Sequence, residues 1–302
     1  MGRPRAKTGL IEPYCQLVRF CATDEVSLAG LLYAPQRRTT RAAIFLHGMG
    51  GSFEPHRSNL LGARFAEAGI AFFTFNNRGS YLMRRLGGSR GGMAFERIRE
   101  CVHDIDGAVR ELRRRGYRDF TLVGHSTGAN KIAVYDHYKQ RNFVKRYIFL
   151  GGGDDTGMAY EHLGPRRFHA TLEKAKAMIQ AKRGDEIMPE ALAFPPPLSW
   201  SAFYDLANPD GDYNVFPFLE LMRGVRLGRK PRFRHLRGVR KPALAIWGEN
   251  DEYCYGDVSA CVAVTAEALG PKPNFELAIL AEANHGFIGK EQELADLMLD
   301  WI

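Results

Sequence analysis

Gly124-His125-Ser126-Thr127-Gly128 holds a serine hydroxyl between two glycines, and the residues on either side say what such a serine could do. Phe120 to Val123 is a short apolar and β-branched run that predicts a buried strand, while Ala129 to Lys139, with Ile132 and Tyr135 on one side, predicts a helix. The glycines between them permit a turn too tight for side chains, which would carry Ser126 exposed at the apex of a nucleophile elbow. The same spacing recurs at Gly87-Gly88-Ser89-Arg90-Gly91, but Tyr81 to Leu86 before it carries two arginines and predicts no buried strand. Ser126 is the candidate nucleophile; Ser89 is not.

A serine hydroxyl is a poor nucleophile at neutral pH, so it needs a base to take its proton and a third group to hold that base in the right tautomer. His285 is, of nine histidines, the one that follows the last predicted strand, and Asp251 follows the strand before it. Glu252 is a second carboxylate on the same loop, and Asp154 or Asp155, after the strand that follows the elbow, could supply the acid instead. His47 and His125 are expected to shape loops, and Asn76-Asn77-Arg78 to brace the floor of the site. Gly151-Gly152-Gly153-Asp154-Asp155 is expected to form a tight turn rather than a phosphate or metal site.

These residues need elements to bring them together. Cys15 to Tyr33 predicts two antiparallel strands with a turn near Thr23-Asp24-Glu25. Ala42 to Leu46 predicts a buried strand that stops at His47-Gly48-Met49-Gly50-Gly51, Leu60 to Ala68 a helix closed by Gly69, and Ile70 to Phe75 the next strand. From Phe95 the apolar residues Ile98, Val102, Ile105, Val109 and Leu112 recur at helical spacing, up to Gly116. Tyr147 to Leu150, Ala243 to Trp247 and Phe275 to Leu280 predict further strands, with helices over Val258 to Leu269 and around Leu294 to Trp301. Strands alternating with helices predict an α/β fold with a mainly parallel sheet.

The alternation lapses between residues 154 and 241, a length far beyond an ordinary connection. A helix through Phe168 and Ile179 is followed by Phe194-Pro195-Pro196-Pro197 and by Trp200, Phe203, Tyr204, Tyr213, Phe216 and Phe218. The organisation expected is a core of 1–153 and 242–302 with a cap insertion of 154–241, whose aromatics would line a roomy apolar pocket.

Composition narrows the classes. The 302 residues, 45% hydrophobic and 25% charged, suit a globular protein, and no apolar run nears the roughly 18 residues that cross a bilayer. The N-terminus lacks a secretory apolar stretch, and five scattered cysteines without a C-x-x-C pair fit a cytoplasmic protein. Of the net charge of +8, Arg223 to Lys241 contributes nine Lys or Arg and no acid. That tract is expected to be solvated surface, or else to attract an acidic substrate or partner. No nucleic-acid motif accompanies it. Oligomeric state has no signature in the chain.

The HGMGG stretch from His47, the GHSTG elbow, Gly248-x-x-Asp251 and Asn284-His285-Gly286, in that order, resemble the α/β-hydrolases over nearly the whole chain. More narrowly, RGGMAFERI, GHSTGANK and GGGDDTG resemble bacterial hydrolase-like proteins, and the GHSTG elbow is similar to that of the fungal siderophore-esterase-like group. The resemblance implies Ser126 as nucleophile, His285 as general acid and base, Asp251 as orienting acid, and the backbone N–H groups of Met49 and Thr127 as the oxyanion hole. It implies a small-molecule ester as substrate, with thioester or amide as variants, and neither metal nor organic cofactor. The alternative is a non-catalytic member of the fold that binds a ligand under the cap or an acidic partner through the basic tract.

Overall fold

The apolar runs of the chain assemble into one eight-stranded sheet. The computed structural model describes residues 15–54, 56–189 and 197–302. Strands β1 (Cys15–Cys21), β2 (Ser27–Tyr33), β3 (Arg41–Leu46) and β4 (Ala71–Asn76) are followed by a small hairpin, β5 (Arg84–Leu86) and β6 (Ser89–Gly91). Then come β7 (Asp119–His125), β8 (Val144–Leu150), β9 (Ala243–Asn250) and β10 (Phe275–Asn284). The large sheet runs β1-β2-β4-β3-β7-β8-β9-β10, antiparallel at β1, β2 and β4 and parallel from β4 to β10. Ser89 lies on the exposed hairpin, as the polar run before it implies.

Helices cover both faces. Alternate residues of β3 serve opposite sides: Ala42, Ile44 and Leu46 join one apolar cluster, Ala43 and Phe45 the other. The first cluster takes in α2 (Cys101–Arg114), α3 (Thr127–Tyr138) and α9 (Val258–Leu269) through Ile105, Val109, Ile132, Val258 and Cys261. The second takes in α1 (His56–Glu67) and α10 (Glu291–Trp301) through Leu61, Phe65, Leu294 and Met298. Parallel strands buried on both sides in this way explain why β7 reads as a continuous apolar run rather than an alternating one.

Two elements depart from expectation for local reasons. The helix expected from Phe95 begins only at Cys101, preceded by short 3-10 turns at Met93–Phe95 and Ile98–Glu100, because Glu96 and Arg97 are extended and Glu96 turns inward to Lys131. After β8, the glycines do make a turn, but Asp154 then caps a helix, α4 (Asp155–Leu163), accepting from the backbone N–H of Gly157 at 2.7 Å.

Between β8 and β9 the chain adds α4, α5 (Pro165–Gln180), α6 (Trp200–Ala207), α7 (Phe218–Met222) and α8 (Arg234–Gly238). Of the proline run, Phe194, Pro195 and Pro196 lie outside the described residues. Among the described residues, most of the aromatics of this segment are buried in the core rather than lining the cavity at the strand edge. Trp200, Phe203, Tyr213, Phe216 and Phe218 are buried in the first apolar cluster, with Phe216 edge-on to Trp247 at 6.0 Å. Their area is spent on attaching the insertion to the sheet. Within the basic tract Arg223 pairs with Glu161 at 2.6 Å, and Arg234 and His235 with Asp212 at 3.5 and 3.2 Å.

Candidate active site

The register of the parallel strands brings their carboxyl ends to one edge. Leu46 pairs with Gly124, His125 with Leu150, Leu150 with Ile246, and Asn250 with Asn284. The loops that begin at His47, Ser126, Gly151, Asp251 and His285 therefore open side by side, where ligands of open α/β sheets bind.

Ser126 has φ 57° and ψ −129°, a conformation that L residues rarely adopt, and its N–H is held by the Leu150 carbonyl at 2.8 Å. The flanking glycines have steric reasons to be there. A Cβ on Gly124 would lie 2.2 Å from the Gly128 carbonyl oxygen, and one on Gly128 would lie 2.3 Å from that of Leu46. The close packing of α3 on β3 and β7 thus requires G-x-S-x-G, and the serine side chain is driven out at the turn. Thr127 opens α3, so its N–H has no acceptor within that helix.

His285 stands on the loop after β10, its Nδ1 2.9 Å from both carboxylate oxygens of Asp251. Such a contact places the Nδ1 proton on the carboxylate side and leaves Nε2 as the basic nitrogen. Glu252 does a different task, accepting from the backbone N–H of His285 at 3.0 Å. Asp154 is committed elsewhere, accepting from the N–H groups of Gly157 and Leu219 and from the Tyr255 hydroxyl. Among the candidate acids, Asp251 is the one on the imidazole.

Ser126, Thr127, Met49 and His285 line a single cavity of about 390 Å³, with Ser52, Arg57, Met93, Asp155, Met158 and Tyr253 completing its wall. This is a size suited to a small ligand. Burial and the neighbouring Asp154 raise the Asp155 carboxyl to about 7. Burial holds the His47 imidazole down at about 3, so it is neutral; its Nδ1 lies 2.8 Å from the Gly48 carbonyl and its Nε2 2.8 Å from Ser80 Oγ. His125 is likewise buried and pushed well below the ordinary histidine value. Asn77 accepts from Lys131 and from the N–H of Gly79, and Arg78 binds Asp104 and Asp24.

Reading the sequence missed Arg57, Met93, Met158 and Tyr253. Met93 sits within the RGGMAFERI stretch but had no role assigned there, and the other three belong to no motif. Arg57 lies in the first turn of α1, upstream of the stretch that the apolar pattern marks as helix, and only the fold shows that it turns toward Ser126.

A family model described as the alpha/beta hydrolase family matches residues 43–297, and the chain belongs to that family. A search of curated proteins finds no match. Among solved structures, the α/β hydrolase GrgF from Penicillium sp. sh18 aligns with a TM-score of 0.68 at 18% identity, over 95% of this chain and 97% of its own. Est1E from Butyrivibrio proteoclasticus, with ferulic acid bound, aligns at 0.61 and 16% identity over 94% and 99% of the two chains. The Pyrococcus furiosus esterase Pf2001 aligns at 0.57 and 15% over 95% and 91%. At such identities the likeness is one of fold. Among the described residues no helix is long and apolar enough to cross a membrane.

Proposed function

We propose that this α/β-hydrolase is a serine hydrolase of the carboxylesterase type, cleaving a small ester through an acyl-enzyme. The observation that carries the reading is the His285 imidazole, braced at 2.9 Å by Asp251, on the wall of the cavity into which the strained elbow presents Ser126. Ser126 Oγ attacks the carbonyl carbon as its proton passes to His285 Nε2, and Asp251 steadies the imidazolium. The resulting oxyanion is met by the N–H groups of Met49 and Thr127, each worth about 3 kcal/mol in the transition state. His285 then protonates the departing alcohol, and water, deprotonated by the same nitrogen, releases the acid. The sequence of steps uses side chains and backbone alone. The esterases among the structural neighbours favour an ester over a thioester or amide. Residues 154–241 act as a cap in this reading, since α4 supplies Asp155 and Met158 to the cavity wall.

Ser126→Ala is expected to lower kcat on a 4-nitrophenyl ester by about 10⁴-fold or more with the fold retained, and Asp251→Asn by about 10⁴-fold through the wrong imidazole tautomer. A fluorophosphonate probe should label Ser126 in the wild-type protein. Near-normal turnover by Ser126→Ala, or no labelling of folded protein, would leave a ligand-binding member of the fold as the better account.

A further inference from the structure

Arg57 puts a positive charge on the cavity wall without an anion to answer it. Its Nη1 donates to the Gly286 carbonyl at 2.6 Å, and its Nη2 lies 3.1 Å from Nδ1 of His125. His125 Nε2 is 2.7 Å from the carbonyl oxygen of His285, which can only accept, so Nε2 carries the proton and Nδ1 accepts from Arg57. Burial and the adjacent guanidinium keep that imidazole neutral. Both partners are thus uncharged. Among the described residues no carboxylate stands within ion-pair distance of Arg57, Glu291 acts on it only from farther off, and its buried Nε–H finds no acceptor. Burial lowers the guanidinium only to about 10, so it is charged at neutral pH.

A partly desolvated cation is expensive unless paired, and a guanidinium is shaped for a carboxylate. We propose that Arg57 is the anion-binding residue of the cavity and that the preferred substrate is an ester that also bears a carboxylate, on its acyl or its alcohol side. This rests on the serine-hydrolase reading above and names the substrate class for it. A carboxylate suits the site better than a phosphate. The cavity wall offers one guanidinium among the described residues, so the second negative charge of a phosphate would be unanswered.

Two matched pairs test the proposal: 4-nitrophenyl hemiglutarate against 4-nitrophenyl valerate, and 4-carboxyphenyl butyrate against 4-methylphenyl butyrate. The readout is the ratio of kcat/KM for the anionic to the neutral member within each protein, so that a general disturbance of the His285 loop cancels. In at least one pair the wild-type ratio should exceed one. It should fall about 10- to 150-fold in Arg57→Gln, mainly through KM, and be partly kept in Arg57→Lys. In parallel, glutarate and inorganic phosphate are titrated calorimetrically into Ser126→Ala with and without Arg57→Gln. Saturable glutarate binding that weakens at least tenfold without Arg57 is expected. An unchanged ratio, no glutarate binding, or phosphate bound more tightly than glutarate would overturn the proposal. Arg57-dependent glutarate binding in a protein that hydrolyses none of the four esters would keep the anion site and remove the hydrolase reading instead.

Discussion

Lys131 and Arg57 are cations withdrawn from water on different sides of the same elbow, and the fold completes only one of them. Lys131, on α3, is fully buried and meets Glu96 Oε1 at 2.6 Å and Asn77 Oδ1 at 3.3 Å. Its charge is closed inside the protein and can serve no ligand. Arg57 meets a carbonyl and a neutral imidazole, and the rest of its charge faces the cavity. Burial alone therefore does not distinguish a structural charge from a recognising one; the presence or absence of a counter-charge does. Arg78 belongs with Lys131, since Asp104 at 2.7 Å and Asp24 at 2.9 Å enclose its guanidinium.

The contrast can be broken most severely at Lys131. Lys131→Met should destabilise the protein by about 3–5 kcal/mol in denaturant unfolding, because Glu96 is left buried and unpaired. Adding Glu96→Gln should return a good part of that loss, and a double-mutant cycle would measure the coupling. A Lys131→Met protein as stable as wild type would mean that the pair is not what holds this part of the fold.

Asp155 offers an intermediate effect with a sign that can be checked. Its carboxyl titrates at about 7 in the folded protein against 3.8 ordinarily, raised by burial, Asp154 and Glu96 and opposed by Lys131, with Asn130 donating to it. The folded state thus binds the proton more tightly than the unfolded one, and stability falls as pH rises from about 4 through about 7. Asp155→Asn cannot ionise, so its melting temperature should gain on wild type across that window, by about 2 °C or more at pH 8 relative to pH 4. A constant offset at both pH values would show that Asp155 has the same pKa folded and unfolded.

Arg57→Gln should have the smallest effect on stability, within about 1 kcal/mol of wild type, since no ion pair is broken. A loss as large as that of Lys131→Met would erase the distinction between the two cations.

Much of the architecture was open to a reader of the chain. The apolar runs that became β3, β4 and β7 to β9 are continuous because strands in the middle of the sheet are buried on both faces, and each ends at a glycine or polar loop that marks the site edge. The polar insertion was harder. Its aromatics were expected to line a pocket, whereas the buried ones pack in the core, because periodicity reports that a residue is buried and not what it is buried against. α4 was hidden behind three glycines, since the cap that starts it is a hydrogen bond from Gly157 to Asp154 rather than an apolar pattern.

Local order along the chain was enough to single out Ser126, whose exposure follows from a strand, a glycine turn and a helix in immediate succession. It was also enough to nominate Asp251 and His285, which lie just past strands. Which carboxylate faces the imidazole, which buried cations are answered and which one looks into the cavity were settled only when β3, β7, β8, β9 and β10 came together in register. The reason is physical: a turn is governed by the residues that form it, whereas pairing between charges depends on distances between segments tens to hundreds of residues apart, and no short stretch of chain encodes them.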